Sequence, residues 1–524
     1  MNTQIKKLSM AGRQAAQAND WPKVRACARE ILSRARDSAE GYFLLGIAES
    51  AGHRREAAEK AFIRAINVDE GRYDAAIELA AQYMKTHRYG QAVDLVQKHA
   101  SLMGNSPKYL DMAGTICVNA GQPQIAWPLY ERANELQPGV QSIMANFAAC
   151  SVYVGKITEA KDIYRELLRQ SPAHQRNHYE LSRLETAEDS VHIDSMKSVI
   201  QSTKLPAEKN IYLYYALGKE LEDLERWDEA FDYYRLAGNA AASISNYDVE
   251  DDVGLIDKMI EVCNREWLLK DPLAEPSTSE GKVPVFVVGL PRTGTTLTER
   301  IVSSHSAVES VGESYFMQIA VKQVSRIDSP DNMTPAMLES AAGKDINRIA
   351  KAYIEAIRYR FGDKPLFIEK FPENFLYLGF IAKAFPNAKI IHLNRNPMDS
   401  CFALYKQSYF RYAYLLDDVG RYYAAYDRLC NHWRGLLGNR LIEVNYEDVV
   451  GDQERETRRI LAALGLEFET ACLNFERNVS ASNTASTVQI RQKVHGRSVE
   501  RWKCFEKQLQ SLKDYLESAG VDVA

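Results

Sequence analysis

A helical array followed by an α/β domain with a mostly parallel sheet is the fold class that this sequence predicts. Three observations carry the expectation. Alanines recur at one fixed period through the first half of the chain, short continuous runs of apolar β-branched residues begin after residue 282, and the first of those runs leads through glycines into a helix pattern. A chain of 524 residues has room for two or three domains that each bury a core. The predicted boundaries are 1–245 for the array, 246–282 for a helix and linker, and 283–524 for the α/β domain.

Ala58, Ala92, Ala126 and Ala160 are spaced by 34 residues, and four residues after each stands Phe62, Val96, Tyr130 or Tyr164, one turn along the same helix face. Pro138 and Pro172 follow Ala126 and Ala160 by 12 residues. Proline there stops the second helix of each hairpin, since it lacks an N–H and clashes with the preceding turn. Gly121 and Gly155 mark turns five residues ahead of those alanines. Ala230 and Tyr234 repeat the pair 70 residues after Ala160, close to two periods, across a degenerate unit. A first hairpin, Asn19 to Ala35, has Val24 in place of the alanine. Period, small residue, aromatic and terminal proline together resemble the tetratricopeptide repeat. The aromatics are expected to join helix to helix, and the stacked pairs to form a concave face suited to a peptide or partner protein.

Residues 270 to 282, rich in Pro, Ser, Glu and Gly, read as the linker. VPVFVVGL then reads as a buried parallel strand, GLPRTGTT as a loop and LTERIVSSH as a helix. Strand, glycine loop and helix is the setting in which backbone N–H groups and a helix N-terminus bind an anion. Gly289 and Gly294 fit the GxxxxGK[ST] loop of nucleoside-triphosphate sites, but Thr295, followed by Thr296, stands where the lysine would reach the β- and γ-phosphates. Its loss predicts a ligand with one phosphate at this loop, and Arg292 brings a planar, permanently charged fork instead. Glu313 comes 21 residues after Arg292, one helix and one turn later. Three further runs read as strands: FIEK, ending at Lys370; KIIHLN, followed by Arg395; and RLIEVNYEDVV, which carries Tyr446.

The loop PRTGTT resembles the 5′-phosphosulfate loop of the sulfotransferases, which use 3′-phosphoadenosine 5′-phosphosulfate (PAPS) as donor. That resemblance implies that Arg292, Thr293, Gly294, Thr295 and Thr296 hold the 5′-phosphosulfate, while Arg395 in RNPMDS holds the 3′-phosphate. The family pattern R-x-P-x-D-x-x-x-S is broken by Ala403, with Ser400 or a backbone N–H as the replacement donor. Tyr446, Ser486 and Arg501 match cofactor-contacting positions of the tyrosylprotein sulfotransferases, Arg501 standing for a lysine. In the same enzymes Glu313 matches the proposed base, and Lys370 the lysine that neutralises the leaving group. The whole chain is similar to bacterial tetratricopeptide-repeat-containing sulfotransferases. This implies sulfuryl transfer to an acceptor hydroxyl, with a protein or peptide tyrosine presented by the repeats as one candidate. His305, at the end of the loop helix, and His392, inside a strand, are expected to be structural.

A net charge of −5 argues against a nucleic-acid surface. No His, Cys or acidic cluster has ligand spacing, so no metal is expected. No run approaches the apolar length of about 18 residues that marks a membrane helix. The N-terminal stretch lacks the apolar core of a secretory signal, and the expected location is the cytoplasm. Eight cysteines lie far apart without a CxxC pair, as reduced and mostly buried thiols would. Two rival readings remain. A nucleotide kinase requires a lysine after Gly294, which is absent. A repeat-based scaffold with a decayed nucleotide-binding domain accounts for Ala403, but not for Arg292, Glu313, Lys370, Arg395 and Arg501 standing together.

Overall fold

The computed structural model describes residues 3–270, 281–478, 480–482, 484 and 487–523; most of the expected linker and Ser486 lie outside the described residues. The chain divides into two compact units, Met1–Val154 and Gly155–Ala524. The division falls inside the helical array, so its later helices belong to the same unit as the sheet.

The first unit consists of α1 (Thr3–Gln17), α2 (Trp21–Arg34), α3 (Ala39–Ala51), α4 (Arg55–Val68), α5 (Tyr73–Lys85), α6 (Tyr89–His99), α7 (Pro107–Asn119), α8 (Pro123–Leu136) and α9 (Gln141–Val154). The starts of α2 and α3 are capped by side chains: Asp20 accepts from the Lys23 N–H and Ser38 accepts from the Gly41 N–H. Ala58, Ala92 and Ala126 are fully buried, as is Phe62. The ring seats on a residue of the partner helix that has no side chain. A Cβ on Gly46 would lie 2.5 Å from the Phe62 ring, and one on Gly114 would lie 2.8 Å from Tyr130. Each seated aromatic therefore removes its full apolar surface from water, worth about 2–3 kcal/mol. A small residue recurs in the sequence at this position, 12 residues before each alanine: Gly46, Ala80, Gly114, Ala148 and Gly218.

The second unit opens with α10 (Ile157–Gln170), α11 (Gln175–Leu184), α12 (Val191–Thr203), α13 (Ile211–Asp223), α14 (Trp227–Ser243), α15 (Val249–Val262) and α16 (Arg265–Leu269). Gly218 seats Tyr234 here, at 2.6 Å from a notional Cβ. Five strands follow: β1 (Val283–Gly289), β2 (Val308–Gly312), β3 (Leu366–Lys370), β4 (Lys389–Asn394) and β5 (Leu441–Asn445). Every pairing is parallel and the order is β2-β3-β1-β4-β5. The remaining helices are α17 (Thr295–Ser303), α18 (Phe316–Ser325), α19 (Pro335–Ala342), α20 (Ile346–Ile357), α21 (Leu378–Ala384), α22 (Pro397–Tyr405), α23 (Leu416–Leu437), α24 (Tyr446–Gly451), α25 (Gln453–Leu464) and α26 (Gln510–Ser518). Val285, Val287, Ile368, Ile391 and Val444 from the strands pack with Ile301 of α17 and Ile460 of α25 in one buried cluster.

Two local expectations are corrected. The sequence reading allowed only a helix and a turn between Arg292 and Glu313, yet β2 lies there as an edge strand; its VESVG has too few apolar residues to stand out. Tyr446 is not in a strand: β5 stops at Asn445, whose side chain donates to Asp448, and Tyr446 opens α24. Among the described residues no helix is long and apolar enough to cross a membrane. Seven of the cysteines are buried and Cys504 is exposed. Burial pushes the thiols of Cys117, Cys150 and Cys263 up to about 12 and that of Cys472 to about 11.

Candidate active site

The carboxyl ends of all five parallel strands open on one rim, and chain order reverses at β1, with β2 and β3 on one side and β4 and β5 on the other. Such a reversal leaves a crevice in which α/β sheets bind ligands. Read across the rim, β2 is followed by Glu313, β3 ends at Lys370, β1 runs into the loop 290–294, β4 is followed by Arg395 and β5 by Tyr446. The registers keep these ends level, with Val287 opposite Lys370, Gly289 opposite Leu393 and Asn394 opposite Asn445.

The β1 loop is shaped by backbone that only certain residues tolerate. Gly294 has φ +95°, and a Cβ there would lie 2.6 Å from the Tyr446 ring. Arg292 takes φ +72°, a left-handed conformation unusual for a residue with a side chain. Thr293 closes the turn by donating its hydroxyl to the Leu290 carbonyl at 2.7 Å. Thr295 and Thr296 open α17, both buried, and neither hydroxyl has a hydrogen-bond partner among the described residues. The first-turn N–H groups of a helix also lack internal acceptors, so an anion is favoured here twice over. Arg292 donates to Gln489 at 3.4 Å. Burial, with Arg183 and Arg395 nearby and Tyr409 opposing, pulls its guanidinium below the ordinary arginine pKa. A desolvated cation among like charges is stabilised by a bound anion.

Arg395 is held in place rather than loose. It donates to the Arg292 carbonyl at 2.8 Å and to the Ser498 carbonyl at 2.5 Å, and its guanidinium carbon stands 5.0 Å from the centre of the Tyr446 ring. Its Nε is buried with no partner among the described residues. Asp399, 3.9 Å from Arg395, accepts from the backbone N–H groups of Glu500 and Trp502 at 2.7 and 3.0 Å. Those bonds dock the segment around Glu500–Trp502 beside Arg395. Ser400, one of the expected substitutes for the missing serine at Ala403, is buried and gives its hydroxyl to the Arg395 carbonyl at 3.4 Å. Arg300 of α17 anchors residues 478–481 by donating to Asn478 and the carbonyls of Ser480 and Ala481.

Arg501 lies in the docked segment, but its side chain turns toward α13: Nε donates to Glu222 at 3.1 Å and the guanidinium stacks 4.5 Å from the centre of Trp227. Glu222 also binds Lys406 at 2.9 Å and accepts from Tyr234 at 2.8 Å. Burial alone would raise its pKa; Lys406, Arg501 and Tyr234 hold it below the usual carboxylate value.

On the other side of β1, Lys370 is almost fully buried and donates to Glu313, whose side chain is 30% exposed and reachable by solvent or an acceptor. Arg360 fixes the turn carrying Glu313 by donating to the carbonyls of Val311 and Glu313 at 2.8 and 2.9 Å. Burial, with Glu313 and Asp252 adding, pushes Glu373 up to about 7. The two sides of the rim thus differ in charge: Arg292 and Arg395 stand beside β1 and β4, while beside β2 and β3 the Lys370 ammonium is matched by the Glu313 carboxylate. His305 is committed to the Glu467 carbonyl and the Ala307 N–H, and His392 to Tyr426, so neither serves the rim. Arg183, Arg300 and Glu222 escaped the sequence reading because charges within helices look like solvated faces. Among the described residues no group of three or more His, Cys, Asp or Glu is placed to hold a metal ion.

Residues 284–470 match the sulfotransferase family, so the second half of the chain carries a domain of that family. A putative protein-tyrosine sulfotransferase of Caenorhabditis briggsae is 24% identical over 262 residues, covering 46% of this chain and 89% of that protein. Protein-tyrosine sulfotransferase A of Caenorhabditis elegans is 22% identical over 211 residues, 39% of this chain and 56% of that one. An uncharacterized protein of Aquifex aeolicus is 26% identical over 423 residues, 78% of this chain, and the match spans 55% of its length. Similar solved structures include the sulfotransferase domain of the Synechococcus PCC 7002 olefin synthase (19% identity, 48% of this chain and 100% of that one, TM-score 0.32). Another is YrrB, a tetratricopeptide-repeat protein with an unusual peptide-binding site (20% identity, 41% and 96%, TM-score 0.30).

Proposed function

We propose that this chain transfers a sulfuryl group from PAPS to an acceptor hydroxyl. The reading rests on the rim: a phosphate loop without lysine and a part-orphaned Arg395 on one side, and a Glu313–Lys370 pair on the other. PAPS supplies an activated sulfuryl group whose leaving phosphate takes up negative charge. Arg292, the first-turn N–H groups of α17 and the Thr295 and Thr296 hydroxyls bind and orient the 5′ end, with Thr293 and Gly294 shaping the loop. Arg395 grips the 3′-phosphate, and Tyr446 supports it. The family resemblance assigns Ser486 and Arg501 to the donor as well, Arg501 having to share Glu222 with Lys406. Glu313 accepts the proton of the acceptor hydroxyl, and the Lys370 ammonium faces the charge that develops at the bridging oxygen.

The acceptor class to test first is a tyrosine of a peptide or protein, because two nematode relatives bear that activity in their names. In this reading residues 1–245 present the acceptor, residues 283–524 carry out the transfer, no metal takes part, and the reaction is cytoplasmic. The test is calorimetric titration with 3′-phosphoadenosine 5′-phosphate, the desulfated donor, beside ATP and an Arg395→Ala variant. Binding of the bisphosphate that Arg395→Ala weakens by about 10- to 100-fold, with ATP far poorer, is the expected outcome. A folded protein that ignores the bisphosphate overturns the reading and leaves a repeat scaffold as the better account.

A further inference from the structure

β3 ends in two adjacent charged residues, Glu369 and Lys370, and neighbouring side chains on a strand point to opposite faces. Lys370 takes the face on which it meets Glu313. Glu369 takes the other, is completely buried, and accepts hydrogen bonds from the Ser314 hydroxyl and, at 2.6 Å, from the Tyr353 hydroxyl of α20. Ser314 is the residue after Glu313. One strand end therefore holds two consecutive residues of one turn, while Arg360 holds the carbonyls of Val311 and Glu313 in the same turn. A charge-capable group completely removed from water is costly to keep, and nothing in the packing of β3 requires one at this place.

We propose that Glu369 is a positioning residue for the transfer reaction, fixing through Ser314 the turn that aims Glu313 at Lys370. The inference rests on the reading of Glu313 as the base. Burial pushes the Glu369 carboxyl up to about 7, with Ser314, Tyr353 and the nearby Arg360 opposing. The other titratable group bonded to it, Tyr353, is itself pushed well up and keeps its proton. Both forms of Glu369 are thus populated near neutrality. The ionised form accepts from both hydroxyls as a charged and stronger acceptor; the protonated form must turn one of those bonds around. The turn is held most firmly above pH 7.

Glu369→Gln copies the protonated form in shape and hydrogen-bonding capacity. The probe reaction is release of 3′-phosphoadenosine 5′-phosphate from PAPS with a tyrosine-containing peptide as acceptor, followed by hydrogen exchange across residues 311–316. Expected for Glu369→Gln is a kcat about fivefold to tenfold lower at pH 8 and near wild type at pH 6, with donor KM unchanged. Exchange in the turn should be faster than wild type at pH 8 alone. Stability should move the opposite way. The folded-state value is raised above the ordinary 4.5, so the wild type loses the Glu369 contribution as pH rises through 7; the variant has no such loss at this position and keeps only the one from Glu373. Lower activity with higher stability at one pH is a combination that a merely structural role does not produce. Ser314→Ala, which removes the other end of the bond, should reproduce the exchange result. Unchanged exchange at pH 8 in both variants overturns the proposal. Full activity of Glu313→Gln overturns instead the reading beneath it, and the exchange measurement still reports on Glu369.

Discussion

The hairpins of the first unit and those of α11–α14 share one construction and put their polar faces to different uses. In both, an aromatic of the second helix seats on a small residue of the first, Tyr130 on Gly114 in one and Tyr234 on Gly218 in the other. In the first unit the charges pair with each other, Arg13 with Glu40, Arg72 with Asp74 and Arg25 with Glu49, and Asn146 donates to Asp111. In α11–α14 such internal pairs recur, as between Lys219 and Asp223 and between His192 and Glu220, but several polar groups also reach partners outside the repeats. Glu222 binds Lys406 and Arg501, Tyr179 accepts from Ser408, Arg183 lies near Arg292, and Gly238 leaves room for the Tyr414 carbonyl. A repeated sequence requires repeated neighbours.

The sharpest way to break this comparison is Glu222→Leu against Glu40→Leu. Removing Glu222 strips a buried carboxylate from two cations and should cost about 3–5 kcal/mol by urea unfolding, whereas Glu40→Leu should cost about 1 kcal/mol. Equal losses would mean that α13 is an ordinary repeat helix. Next in size, Gly114→Ala and Gly218→Ala each force a ring off its seat and should lose about 1–3 kcal/mol in thermal unfolding. Only Gly218→Ala should also weaken bisphosphate binding, since only its hairpin carries the carboxylate that holds Arg501. The smallest effect is in pH dependence. Glu40 and Asp74 have lowered pKa values, so their contribution is complete above the ordinary carboxylate range and is lost as pH falls. Glu369 and Glu373 are raised to about 7, so theirs is complete below about pH 4.5 and is lost as pH rises through 7. Between pH 5 and pH 8, the stability read by urea unfolding should fall by the contribution of Glu369 and Glu373, while that of Glu40 and Asp74 stays level.

The loop at β1 was legible because its demands fall on the backbone: two glycines, an arginine and a helix start must be consecutive in sequence to work. The 34-residue period was legible for the same reason, each unit restating the local rule. The seats at Gly46 and Gly114 carried an equally regular signal, 12 residues before each alanine, that a search limited to one position per repeat overlooks. Arg501 was readable as a charge near the closing segment, but not its partner, which lies 279 residues away. Pairings of that kind depend on which face of a helix the tertiary structure turns inward, and periodicity alone does not distinguish a solvated charge from a captured one.

The uneven burial of the thiols has a practical consequence. Seven are shielded from solvent, while Cys504 is exposed in the turn Arg501–Phe505, two residues from Trp502 and three from Arg501. A maleimide dye added to the natural protein should therefore attach at one place, giving the segment that Asp399 docks beside Arg395 an optical reporter without any change of sequence.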